Sequence, residues 1–210
     1  MRKSGLDIIG DIPWGMHMSL FYETTEDLIG VLTPYFKAGL ENNEFCVWII
    51  SEPLTEEAAK VAMKEAMPDF DQYLKEGRIE IIPHAKWYLK EGLFSPIQSI
   101  VAWIEKLQWA LSKKYDGIRA AGDALWLNKE DWSRFISYEC EINKAIRRYK
   151  IIAFCAYPVN KCNALQIINV GVNHRFAIIK ENHRWKVVKN RAYRHMKERM
   201  SRKKGPGFQS

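Results

Sequence analysis

Met16-His17-Met18-Ser19-Leu20-Phe21-Tyr22-Glu23-Thr24-Thr25-Glu26-Asp27 is the stretch on which the fold turns. Its first seven residues read as a strand. Thr25 then caps a helix whose apolar positions are Leu28, Ile29, Leu32, Tyr35, Phe36 and Leu40, the three-four spacing of one helical face. Pro34 interrupts that pattern and predicts a kink or a split. In a nucleotide-hydrolysing α/β protein, the turn after the first strand is where phosphate sits, gripped by helix N–H groups and a lysine. Here the turn carries Glu23, Glu26 and Asp27, whose charge repels a phosphate. The glycine-spaced segment Gly10-Asp11-Ile12-Pro13-Trp14-Gly15 precedes the strand, and Met16-His17 follows it where Lys-Ser/Thr is required. Nucleotide hydrolysis is not expected.

Outward from this unit the pattern repeats. Phe45 to Ile50 is almost continuously apolar, as in a central parallel strand covered on both faces. Thr55-Glu56-Glu57 opens an acidic helix reaching about Met67. Arg78 to Ile82 reads as a third strand, stopped by Pro83. Ser95-Pro96 starts a helix whose expected buried face is Ile97, Ile100, Val101, Ile104, Leu107 and Leu111. Ile118 to Ala121 is a short strand, and Asn128 caps a long helix containing Trp132, Phe135, Ile136, Cys140, Ile142 and Ile146. Ile151 to Tyr157 is a strand, Asn163 to Val170 a helix, and Phe176 to Ile179 with Trp185 to Val188 a terminal pair. The regular alternation predicts a three-layer α/β fold, a mostly parallel sheet with helices on both faces.

Ligands of such sheets bind beyond the carboxyl ends of the strands. That places Tyr22, Glu23, Glu52, Trp87, Tyr88, Asp123, Trp126 and Tyr157 at the candidate site, with Arg119 on the fourth strand completing the set. Asp123 has two readings: it coordinates a ligand or metal, or it satisfies backbone donors in the following turn, as Asp readily does. Trp87 and Tyr88 either cover the core edge or wall the ligand face.

Hydrophobic residues make up 47% of the 210 and charged ones 27%, the balance of an ordinary globular chain. No run approaches the length a membrane span needs, and no signal-peptide pattern opens the chain, so a cytoplasmic protein is expected. The net charge of +7 is uneven: from Glu181 to Lys204 ten Lys/Arg stand against two Glu, a balance of +8 that leaves −1 for the rest. A basic tail therefore follows the domain; it either contacts nucleic-acid phosphates or is a solvated extension.

Cys46, Cys140, Cys155 and Cys162 form no Cys-x-x-Cys pair, and no His/Cys cluster shows tetrahedral-site spacing. Buried free thiols are expected rather than disulfides or structural zinc. His174 can approach Cys155 or Cys162 in space, though an ordinary buried histidine is the commoner case. No Gly-x-Ser-x-Gly elbow is present, and no catalytic residue, cofactor or metal is expected.

Several collinear motifs resemble one family. They are Asp11-Ile12-Pro13-Trp14-Gly15-Met16-His17 with Phe21-Tyr22-Glu23-Thr24, Pro34 to Glu44, Ser51-Glu52-Pro53-Leu54, Trp87 to Gly92, Tyr115 to Arg119 and Trp126 to Trp132. Across residues 8 to 188 the chain is similar to MEDS domains, the methanogen and methylotroph sensory domains. The resemblance implies a KaiC-like, RecA-type fold without its phosphate loop. It also implies a sensory module for hydrocarbon derivatives, usually joined to signalling parts. It brings no verified set of binding residues. Residues 1–188 are thus expected to form the sensory domain and 189–210 the basic tail, with signalling through a separate partner or self-association. A degenerate nucleotide-binding protein and a nucleic-acid-associated protein are the alternatives.

Overall fold

The computed structural model describes residues 1–190. A small hairpin, β1 (Arg2–Lys3) with β2 (Asp11–Ile12), precedes β3 (His17–Tyr22) and α1 (Thr25–Glu41). Then come β4 (Phe45–Ile50), α2 (Glu56–Ala66), α3 (Phe70–Lys75), β5 (Ile79–Pro83) and α4 (His84–Tyr88). A second hairpin, β6 (Leu89–Lys90) with β7 (Leu93–Phe94), leads to α5 (Pro96–Ser112), β8 (Ile118–Asp123) and α6 (Trp132–Ile146). The remainder is β9 (Ile151–Pro158), α7 (Ala164–Asn173), β10 (Phe176–Glu181) and β11 (Arg184–Lys189).

The main sheet runs β11-β10-β3-β9-β8-β4-β5, with every pair parallel except the β10/β11 hairpin. Period-two alternation sends its side chains into two cores. Met18, Leu20, Cys46, Trp48, Ile152 and Phe154 join residues of α1 and α2 on one face. Phe21, Phe45, Val47, Ile49, Ile151 and Ala153 join residues of α5, α6 and α7 on the other. The expected three-layer architecture is the observed one.

Several local expectations need correction. The cap of α1 is Thr24, one residue earlier than expected, and it forms a reciprocal capping box with Asp27. Pro34 does not split this helix, which continues for 17 residues. Val31, Leu32, Tyr35 and Phe36 are buried on both sides of it, and that packing outweighs the roughly 3 kcal/mol cost of an interior proline. Asn128 does not cap α6; its side chain accepts from Asp131 N–H at 2.7 Å, closing a turn just ahead of the helix.

The face of α5 is also displaced. Ser99, Trp103, Leu107 and Ala110 are its buried residues, while Ile97 is 76% exposed and Val101 45%. Trp103 fixes the rotation by donating its indole N–H to the Tyr138 hydroxyl on α6, 3.0 Å away. The basic tail lies almost wholly outside the described residues. Of it, Lys189 ends β11, and Asn190 donates side-chain N–H groups to Gly171 and Val172 carbonyls.

Candidate functional site

The turn after β3 is built around a carboxylate. Asp27 accepts hydrogen bonds from the backbone N–H groups of Glu23 and Thr24, at 3.3 and 3.4 Å. Lys180 of β10 donates to the same carboxylate. Burial raises the Asp27 pKa, but these bonds and the lysine charge outweigh it and hold it below the ordinary value. The positive end of α1 is thus satisfied by the chain's own anion.

Beyond the carboxyl ends of β4, β8 and β9 lies a cleft of about 540 Å³. Glu52 and Pro53 come from the end of β4, Ala124 and Leu125 from the end of β8, and Tyr157 and Pro158 from β9. Trp132, the first residue of α6, and Cys162 and Gln166 complete much of the wall, with Lys129 and Lys161 at hand. Trp132 Nε1 and the Tyr157 hydroxyl, both cleft-lining, are buried; Trp132 Nε1 has no hydrogen-bond partner among the described residues, and the Tyr157 hydroxyl has the Cys155 thiol beside it. Buried donors of this kind are rarely left unpaired in a finished fold.

Of the nine residues expected at the site, Glu52 and Tyr157 line this cleft. Tyr22 and Asp123 meet beside it: the Tyr22 hydroxyl donates to Asp123 Oδ1 at 2.9 Å, and Leu125 N–H donates to the same oxygen, also at 2.9 Å. The second bond closes an Asx-type turn. Burial drives the Asp123 pKa up to about 7, against the opposing hydrogen bonds from Leu125, Tyr22 and Ala124. Burial also raises the Tyr22 pKa, and the neighbouring Asp123 charge adds to it.

Tyr88 and Trp126 stack on each other, ring centroids 5.3 Å apart, within an aromatic cluster that includes Phe94, Phe135 and Tyr138. Trp87 packs on Trp103 at 4.3 Å. These three aromatics belong to the second core or pack on it. Glu23 is exposed and engages the α1 cap through its backbone.

Arg119 is placed elsewhere. It is fully buried near the start of β8, where it donates to Glu44 at 2.6 Å and to the carbonyls of Lys3, Ser4 and Tyr35. Its long side chain ties the first hairpin to α1, away from the strand ends.

A second constellation lies beneath the cleft. His17 from β3, Glu139 from α6, Cys155 from β9 and His174 at the end of α7 bring one donor atom each to within 4.8 Å of one another. His17 Nε2 is 3.1 Å from Cys155 Sγ and 3.5 Å from Glu139 Oε2, and His174 Nε2 is 3.1 Å from the same oxygen. Burial, reinforced by the charge of His174, lowers the His17 pKa to about 3, so that ring is neutral near pH 7. Burial pushes the Cys155 thiol well up. In sequence these four residues share no spacing motif. Beyond the expected approach of His174 to Cys155, their trace is a polar residue within an otherwise apolar stripe, such as Glu139 among Phe135, Tyr138, Ile142 and Ile146.

The model of the MEDS family, MEthanogen/methylotroph, DcmR Sensory domain, matches residues 16–175. The chain belongs to the MEDS family. A KaiC-like protein from the hyperthermophilic archaeon Pyrococcus horikoshii OT3 shares the fold, with a TM-score of 0.55 and 17% identity over 91% of this chain and 89% of that one. No curated protein matches. This MEDS chain is therefore a sensory-family domain on a KaiC-like scaffold. No helix among its described residues is long and apolar enough to cross a membrane.

Proposed function

We propose that this MEDS domain is a non-catalytic small-molecule sensor whose ligand occupies the cleft at the strand ends. The observation that carries the reading is the pair of buried donors, Trp132 Nε1 without a partner and Tyr157 OH with only the Cys155 thiol beside it, on a largely apolar wall. A ligand with an apolar body and one or two acceptor atoms satisfies both, as in one-carbon or hydrocarbon-derived compounds. Concave, mostly apolar sites with few polar anchors are the usual form of small-molecule pockets. The self-capped start of α1 supports recognition without phosphoryl chemistry, because Asp27 and Lys180 occupy each other. Signal output passes to a separate partner or through self-association, in the cytoplasm.

A thermal-shift screen of methylated amines, methylated thiols, alcohols and halogenated methanes tests this. A concentration-dependent stabilisation that weakens at least tenfold in Trp132→Phe and Tyr157→Phe is expected. A panel without any hit, or a hit indifferent to both substitutions, rejects the cleft as the sensor. Calorimetry with ATP and magnesium is expected to give no heat of binding.

A further inference from the structure

We propose that His17, Glu139, Cys155 and His174 form a binding site for a zinc-type divalent transition metal in the core beneath the cleft. This goes beyond the sensing proposal and does not depend on it.

The donor set comes from four separate elements that fix it from all sides. His17 and Cys155 project from adjacent parallel strands onto the same sheet face. Glu139 lies on the buried stripe of α6, and His174 ends α7. Three of the four, His17, Glu139 and His174, are buried. Two imidazoles, a thiolate and a carboxylate are ligands that zinc accepts in tetrahedral sites. Four such ligands at about 2.0–2.3 Å from zinc stand about 3.3–3.7 Å from each other. Three of the six separations, 3.1, 3.1 and 3.5 Å, come within a few tenths of an ångström of that spacing, and all six are within 4.8 Å.

The hydrogen bonding of the cluster points the same way. His174 Nδ1 lies 2.8 Å from the Val170 carbonyl, which can only accept, so Nδ1 carries the proton. In the neutral ring Nε2 then presents a lone pair, and it faces Glu139 Oε2 at 3.1 Å. A backbone carbonyl on the remote nitrogen is the usual support of a metal-bound histidine. Glu139 has His174 Nε2 and the Cys155 thiol as its hydrogen-bonding neighbours. Four potential ligand atoms thus converge around one buried carboxylate, which is costly to bury unless it is well paired. A bound dication satisfies the carboxylate, both imidazoles and the thiolate at once, with the Cys155 proton released to solvent.

An adjoining cavity of about 20 Å³, lined in part by His17, Cys155, Tyr88 and Tyr138, has room for a single water beside the site. On the other side the Tyr157 ring lies 6.1 Å from the His174 ring. Tyr157 therefore stands between the proposed metal and the cleft.

The test uses the full chain, stripped of metal with a chelator and titrated with Co²⁺ and, in competition, Zn²⁺. Expected are one equivalent bound, ligand-field bands of tetrahedral intensity, and a thiolate-to-cobalt charge-transfer band. Cys155→Ser should abolish the charge-transfer band, and His174→Gln and Glu139→Gln should each weaken cobalt binding at least tenfold. Cys162→Ser, outside the cluster, should retain the full spectrum. Circular dichroism identifies any variant that does not fold, and Cys155→Ala then replaces Cys155→Ser. Folded wild-type protein that gives no cobalt spectrum overturns the proposal. So does cobalt binding that keeps its charge-transfer band in Cys155→Ser. Either result leaves the ligand screen of the cleft unaffected.

Discussion

The Tyr22 hydroxyl reaches Asp123 across 2.9 Å, joining the ends of two strands that are not neighbours, since β9 lies between β3 and β8. Ala156, paired with Asp123 on β9, places only a methyl group between them. The result is a carboxyl group that is buried, hydrogen-bonded and held near neutrality in its titration.

That relationship sets a pH dependence. The folded pKa of Asp123, about 7, lies above its ordinary 3.8, so the folded chain binds the extra proton between those values. Its contribution to stability is full below pH 4 and is lost as pH rises through 7. The contribution is on the order of 4 kcal/mol at most, at 1.36 kcal/mol per pKa unit. Urea unfolding at pH 4.5 and 7.5 should show wild type losing more stability over this interval than Asp123→Asn. Tyr22→Phe removes a bond that favours the carboxylate and so raises the folded pKa further, and the loss should extend above pH 7. Equal slopes for wild type and Asp123→Asn would remove Asp123 from the account.

The Arg119–Glu44 pair makes a different prediction. Glu44 is fully buried and shared between Arg119 and Arg2, with N–O distances of 2.6 and 2.7 Å. Arg119→Met strips Glu44 of one partner and frees three carbonyl acceptors, so a loss of about 3–5 kcal/mol is expected. Gly39 belongs to the same arrangement, because a Cβ there would come 2.5 Å from Arg119 Cδ. Gly39→Ala should therefore destabilise even though alanine favours helix. Denaturant midpoints for the two variants check this; a loss below 1 kcal/mol for Arg119→Met contradicts it.

What the sequence disclosed follows from how each feature is encoded. Phe45–Ile50 is a short apolar run flanked by breakers, so its burial on both faces is legible from composition alone, while His17–Tyr22 is legible as a strand. The acid-for-lysine exchange at Asp27 is legible too, because the turn is contiguous. Arg119 misleads because its position on a strand is encoded but the direction of its long side chain is not. Of the four-residue cluster the sequence anticipates only the approach of His174 to Cys155, because its members come from β3, α6, β9 and α7 and only the sheet order brings them together. The rotation of α5 is lost for a third reason: apolar residues surround the helix, and a hydrogen bond from Trp103 decides which stripe faces inward.

This last point can be measured. Ile97→Gln and Val101→Gln change exposed positions and should shift stability by no more than about 0.5 kcal/mol each. Trp103→Ala removes a buried ring and its hydrogen bond to the Tyr138 hydroxyl, with an expected loss of about 3–5 kcal/mol. A large loss for Ile97→Gln would restore the face read from spacing.

The self-capped start of α1 carries the final prediction. Asp27 satisfies two backbone N–H groups and pairs with Lys180, so it holds the helix terminus and couples it to β10. Asp27→Ala removes both, and a loss of about 1–2 kcal/mol is expected from the cap. The depressed pKa of Asp27 means its contribution is present above the ordinary carboxylate range and is lost as pH falls through the folded value. Wild type and Asp27→Ala should therefore converge in stability toward pH 3 and separate at pH 6. If a filled terminus is what prevents phosphate from binding, Asp27→Ala frees N–H groups beside an unpaired Lys180. Inorganic phosphate should then stabilise the variant but not wild type. Phosphate that stabilises both equally would mean the anion binds elsewhere, and the carboxylate would lose its assigned part in excluding nucleotides.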